Sequence, residues 1–184
     1  MKELSLNILD IAQNSVKAGA DTIRITLTEA NNKLTILISD NGCGMKEDFL
    51  RNVQDPFTTT RTTRKVGLGI PLFKLAAQQT GGDVSLSSRH KDEYPDSHGT
   101  EIEATFFTDH LDFTPLGDVI STLTVLIQGQ PYIRWLFSHT TDKGQVSLDT
   151  DELKEVLGDV PLDTFEVIVW ISDYLKEQYS EIGY

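Results

Sequence analysis

Asp10, Asn14 and Lys17 follow one another at i, i+4 and i+7. On a helix that spacing stacks a carboxylate, a carboxamide and an ammonium in one column. The Asn oxygen is a hard, neutral ligand suited to Mg²⁺ beside phosphate oxygens. An ammonium one turn further neutralises phosphate as a point charge. The Asp10 carboxylate can orient a water or take a proton from an incoming hydroxyl. A second group is Asp40-Asn41-Gly42-Cys43-Gly44-Met45. There a carboxylate at a strand end can accept from an exocyclic amine such as the 6-amino group of adenine, and the glycines let backbone approach a flat base. In a third, Pro56–Ile70, Gly67 and Gly69 open a helix whose free N–H groups and dipole suit an anion. Arg61, Arg64 and Lys65 form a basic cluster there, as a polyphosphate lid would. A fourth is Gly99-Thr100, whose hydroxyl can reach a purine nitrogen directly or through water. Taken singly, each also fits a plainer role: a solvated helix face, a tight turn, a loop, a strand start.

The elements that must position these groups follow from periodicity. Residues 3–18 form an amphipathic helix, with Glu3, Asn7, Asp10, Asn14 and Lys17 on the polar side. Leu4, Ile8, Ile11, Ala12 and Ser15 face a core, and Gly19 ends the helix. Strands over 22–28 and 33–39 join at Ala30-Asn31-Asn32 as a hairpin. A short helix is expected over 46–53, a mobile loop over 54–69, and a helix over 70–79 with Pro71 in its first turn. Strands over 83–89 and 100–107 flank a polar connection. A boundary is placed at 109–114, dividing the chain into 1–109 and 110–184. Beyond it come a helix over 116–129, a hairpin 132–138/145–148, a helix capped by Thr150 or Asp151, and a helix over 164–179.

Composition narrows the function classes. The chain has 184 residues and a formal charge of −12. That charge opposes non-specific attraction to nucleic acid or to an anionic membrane, so an anionic ligand must be held by local design. Cys43 is the single cysteine, which rules out an intrachain disulfide and points to the cytoplasm. Met1-Lys2-Glu3-Leu4 lacks the apolar run of a signal peptide, and no stretch is long and apolar enough to span a bilayer.

In order and spacing the four segments resemble the N, G1, G2 and G3 boxes of the GHKL ATPase superfamily. The run from Asp55-Pro56-Phe57-Thr58-Thr59-Thr60-Arg61 through Gly67-Leu68-Gly69-Ile70, Gly81-Gly82-Asp83 and Gly99-Thr100 is similar to the ATP-binding domain of sensor histidine kinases. Asn14-Ser15-Val16-Lys17-Ala18-Gly19-Ala20 is closer to the matching helix of MutL and gyrase, although Lys17 stands where those carry an acid and histidine kinases a lysine. The resemblance covers about residues 3–107. It implies an α+β fold, a two-layer α/β sandwich of the Bergerat type with a mixed sheet under helices, extended by a small α/β C-terminal segment. It implies ATP and Mg²⁺ as ligands. Asn14 would hold Mg²⁺, Lys17 would contact phosphate, and Asp40 would read adenine between Gly42, Gly44 and Met45. Thr59, Thr60 and Arg61 would belong to the lid, Gly67, Leu68 and Gly69 would surround the phosphates, and Thr100 would sit beside adenine.

Two departures shape the functional expectation. Asp10 occupies the place of the catalytic Glu of gyrase and MutL and is shorter by one methylene. The nine residues ahead of it do not hold the dimerisation hairpin and phospho-accepting His of a complete histidine kinase. His90, His98, His110 and His139 read as surface or core residues. The expectation is therefore an ATP-binding module, a protein kinase or regulator, that acts on a partner protein. A slow ATPase switch acting as a homodimer and nucleotide binding without turnover are the alternatives. Trp135, Phe137, Trp170 and Tyr174 are expected to build a small core, and 110–184 to recognise the partner.

Overall fold

The computed structural model describes residues 3–53 and 69–184. Alternating burial builds the sheet. In β1 (Thr22–Ala30) Ile23, Ile25 and Leu27 are buried, and in β2 (Lys33–Asp40) Leu34, Ile36 and Ile38. The residues between them face the other side, as a period of two requires. Asn31 and Asn32 turn this hairpin with φ of 53° and 56°. Such a two-residue turn matches the strands' twist, and Asn tolerates its left-handed backbone.

β3 (Val84–Arg89) and β4 (Gly99–Phe107) continue the sheet on the β2 side. β5 (Arg134–Thr141) runs parallel to β1, and β6 (Gly144–Asp149) closes the far edge. The order is β3-β4-β2-β1-β5-β6, a mixed sheet that crosses residue 110 without a break. The C-terminal segment thus adds strands to the first sheet, and one apolar core spans both parts of the chain.

Four helices supply the side chains opposite the buried sheet face: α1 (Leu4–Lys17), α3 (Gly69–Gln79), α4 (Val119–Gly129) and α6 (Phe165–Glu181). Two short helices, α2 (Glu47–Val53) and α5 (Thr150–Leu157), complete the order. α1 buries Leu4, Ile8, Ile11, Ala12 and Ser15 as the periodicity requires. Asn7, expected on its polar side, is buried as well. The expected start of α4 at Leu116 moves to Val119, because Pro115 and Leu116 accept from the free N–H groups of Leu4 and Ser5 at the head of α1. Asp118 then caps α4 by accepting from the Ser121 N–H. The expected cap of α5 moves from Thr150 or Asp151 to Asp149, which accepts from the Asp151 N–H. The Thr150 hydroxyl instead accepts from the Trp135 N–H at 2.8 Å.

The aromatic quartet divides. Trp135 and Phe137 are buried under β5, whereas Trp170 and Tyr174 stand exposed on α6. His139 is fully buried, with Tyr179 Oη 2.8 Å from Nδ1 and Glu29 Oε1 3.2 Å from Nε2. Burial pushes the Tyr179 and Tyr184 hydroxyls well above their usual range, with Glu29 adding to both shifts. Among the described residues no helix is long and apolar enough to cross a membrane.

Candidate functional site

The register of β2, β3 and β4 sets a polar row at the end of an apolar floor. Asp40 lies opposite Thr100, and Thr100 opposite Ser88. One pleat earlier on the same face are Ile38, Ile102 and Leu86. Asp40, Thr100, Ile38, Ile102 and Leu86 line a cavity of about 300 Å³ under α1, whose wall carries Asn14, Ser15 and Lys17. Cys43, Gly44 and Met45 from the loop after β2 line it too.

Asp40 is tied on both oxygens. Ser15 Oγ donates to Oδ2 at 2.5 Å and the Gly42 N–H to Oδ1 at 2.9 Å. Each carboxylate oxygen keeps acceptor capacity beyond these single bonds. The loop itself is pinned from three sides. The Cys43 N–H donates to the Ala18 carbonyl at 2.8 Å, joining it to the end of α1. Asn41 Oδ1 accepts from the N–H groups of Asp21 and Thr22, and its Nδ2 donates to Asp21 Oδ1. That last bond, then one from Thr22, holds the Asp21 carboxyl below the usual carboxylate range. His98 Nδ1 lies 2.6 Å from the Gly42 carbonyl oxygen.

Glycine is required where this loop crosses the sheet. Gly44 has φ +67°, and a Cβ there would lie 1.9 Å from the Arg89 carbonyl oxygen. Gly99 has φ +142°, and a Cβ would meet the Asp40 carbonyl oxygen at the same distance. Neither clash is with a side chain that could swing away.

Of the residues singled out from sequence, Asn14, Lys17, Asp40, Gly44, Met45 and Thr100 line this one cavity. Gly42 sits behind Asp40. Gly69 starts α3 against α1, where a Cβ would lie 3.3 Å from Asp10 Cβ and 3.8 Å from Asn14 Nδ2. Asp10 is exposed on α1 beside that helix start. Thr59, Thr60, Arg61, Gly67 and Leu68 lie outside the described residues. Ser88 escaped the sequence reading. Its Oγ accepts from the Met45 N–H at 2.8 Å, donates to the Gly99 carbonyl at 3.0 Å and lies 2.9 Å from Thr100 Oγ1. Its only trace in the sequence is the alternation Leu86-x-Ser88, which puts it on the floor's face.

A family model described as histidine kinase-, DNA gyrase B-, and HSP90-like ATPase matches residues 2–110. The chain belongs to this ATPase family. Its family domain is 30% identical over 82 residues to the tetrathionate sensor histidine kinase TtrS of Salmonella typhimurium, covering 45% of this chain and 14% of that protein. It is 32% identical over 93 residues to the sensor protein SrrB of Staphylococcus aureus, covering 48% and 16%. The chain thus spans about a seventh of the length of these relatives. The Aquifex aeolicus MutL ATPase domain complexed with ADP has a TM-score of 0.57 at 13% identity, over 85% of this chain and 69% of that one. That coverage reaches past residue 110, so the shared fold takes in part of the C-terminal segment as well as the ATPase-family domain.

Proposed function

We propose that the chain binds Mg²⁺-ATP in the cavity between α1 and β2–β4 and uses it to act on a partner protein, by transferring the γ-phosphoryl group to it or by gating it. The observation that carries this reading is Asp40, fixed by Ser15 and Gly42 at the end of an apolar floor, with Thr100 beside it. The adenine lies on Ile38 and Ile102 and gives its amine to Asp40. The triphosphate runs out past Asn14 and Lys17 toward the start of α3 at Gly69. Among the described residues no three His, Cys, Asp or Glu groups form a metal cluster. Asn14 in the cavity wall offers a neutral oxygen that would hold a Mg²⁺ brought in on phosphate oxygens. Bound there, the ion would supply neutralisation of the phosphate charge. Thr59, Thr60, Arg61, Gly67 and Leu68 complete the lid in this reading.

The transfer breaks the bond between the γ-phosphorus and the β–γ bridging oxygen and forms one to the acceptor atom, leaving ADP. Asp10, one helical turn before Asn14, receives the acceptor's proton. Calorimetric titration of Mg²⁺-ATP into wild type and Asp40→Asn tests the binding. Loss of a charge-assisted hydrogen bond should weaken affinity by about 1.5–3 kcal/mol, roughly ten- to over a hundredfold. Equal affinity in the two proteins rejects the assignment. With γ-labelled ATP, label on a second protein supports transfer, and steady phosphate release by the pure chain alone counts against it.

A second reading, a slow ATPase switch that homodimerises, draws on the closeness of Asp10 to Gly69 at the start of α3. ATP-dependent dimerisation lost in Asp10→Ala would favour it over transfer.

A further inference from the structure

At the sheet edge opposite the cavity lies a groove of about 480 Å³ between β5, β6, α5 and α6. Trp170 and Tyr174, one turn apart on α6, stack in it with centroids 5.0 Å apart and planes at 8°. They remain 50% and 37% exposed, and Val156 on the facing wall is 86% exposed. Aromatic side chains left open around a concave surface mark binding sites more than scattered surface apolar residues do.

The charge around this groove is one-sided. Glu166, Asp173 and Glu177 run along the exposed side of α6, and Asp149 and Glu152 stand in the wall. Between Thr150 and Tyr184 there are nine Asp and Glu against Lys154 and Lys176. Both lysines pair within their own helices, with Asp151 and Asp173. Arg134 is engaged by Asp149, which leaves Arg24 as the cation lining the groove. An anionic membrane or a second copy of this −12 chain meets like charge here.

Strand addition at this edge is blocked. The Gln178 carboxamide accepts from the Ser147 N–H and donates to the Ser147 carbonyl, both at 3.0 Å, filling the outward backbone positions at the centre of β6. An occupant must therefore engage through side chains. An amphipathic helix with apolar anchors and flanking Arg or Lys meets all three features, its cations placed over the Trp170 face and beside the carboxylates.

We infer that this groove docks a basic amphipathic helix of the partner protein. The inference rests on the reading that the chain acts on a partner, and it assigns the surface and the chemistry. The probe is an 18-residue helical peptide with Leu on one face and Arg and Lys on the other. The chain has two tryptophans, so its amide spectrum holds two indole N–H signals. Trp135, buried and donating to the Gln130 carbonyl at 3.1 Å, serves as the internal reference. The Trp170 signal should move saturably while that of Trp135 stays. Added salt should weaken the titration, and a peptide with Glu in place of Arg and Lys should give none. Trp170→Ala and the triple variant Glu166→Lys/Asp173→Lys/Glu177→Lys should each cost about tenfold or more in affinity, while Tyr132→Ala, an exposed aromatic outside the groove, costs nothing measurable. Undiminished peptide binding in both groove variants overturns the inference. So does a concentration-dependent Trp170 shift without peptide, which would assign the groove to a second copy. ATP affinity measured on the same samples separates the two readings: its absence sinks the nucleotide assignment, and an immobile Trp170 signal sinks the groove.

Discussion

The two edges of the sheet are built on opposite plans. At the β2–β4 end, space is kept open. Small residues (Ser15, Gly42, Gly44, Ser88, Gly99 and Thr100) bring backbone close, and hydrogen bonds fix Asp40 without filling the volume beside it. At the β5–β6 end, large side chains fill the space. Trp135 and Phe137 sit beneath the sheet, and His139, Glu29, Tyr179 and Tyr184 close into a polar cluster at its margin. Apolar surface is left over on the outside, where Trp170, Tyr174 and Val156 stand exposed. A site for a flat ring needs fixed polar atoms around an unfilled gap, whereas a surface for a macromolecule needs raised side chains on a packed base. This chain carries both arrangements on a single sheet.

Because the sheet is continuous, the two ends should unfold together. Leu123 on α4 tests this most severely. It is buried in the core that joins α4 to both α1 and α6. Leu123→Ala should cost about 2–5 kcal/mol and lower a single thermal transition, seen alike by near-ultraviolet circular dichroism of the aromatic C-terminal part and by backbone signal. Two separated transitions would break the picture of one cooperative body and make the two edges independent.

Ser88→Ala sharpens the contrast from the other side. It removes the acceptor of the Met45 N–H and a partner of Thr100, so stability should fall by about 1–3 kcal/mol. Mg²⁺-ATP affinity should drop several-fold, with the Trp170 peptide titration unchanged. A variant that loses peptide binding equally would show that the two ends are not separable.

Much of the nucleotide end was legible because its determinants are local. The Asp10-Asn14-Lys17 column needs only helical spacing, and Asp40 needs only a strand followed by Gly42 and Gly44. Where distant partners decide, the sequence was silent. Ser88 meets Met45 through a register set across a nine-residue connection. Asn7 has helical spacing that suits solvent, yet it is buried by tertiary packing. α4 starts late because Pro115 and Leu116 serve the head of α1, more than a hundred residues away. The parallel pairing of β5 with β1 leaves no signal in either strand, since an alternating pattern fits any neighbour. Trp170 and Tyr174 were grouped with the core by residue type, and only the exposed side they occupy on α6 distinguishes them.

The smallest expected effect concerns the margin cluster of the β5 end. Hydrogen bonding to His139 comes first among the causes that hold the Glu29 carboxyl below its usual range, with the Tyr184 hydroxyl adding to it, against some opposition from burial. A folded-state value below the unfolded one means that Glu29 contributes stability fully at pH above the ordinary Glu value near 4.5. That contribution is lost as pH falls through the depressed value. Glu29→Gln keeps an acceptor for the Tyr184 hydroxyl but cannot titrate. The melting temperatures of variant and wild type should therefore differ by a constant amount well above the ordinary Glu value near 4.5, and that difference should shift as pH falls below it toward the depressed folded-state value. The carboxylate is in contact with solvent, so the pH-dependent part should stay under about 1 kcal/mol. Asp21, Asp118 and Asp149, also held low by their hydrogen bonds, keep the variant acid-sensitive in its own right. A difference curve flat from pH 3 to 7 would mean that Glu29 titrates alike folded and unfolded, and that the margin cluster packs without coupling to charge.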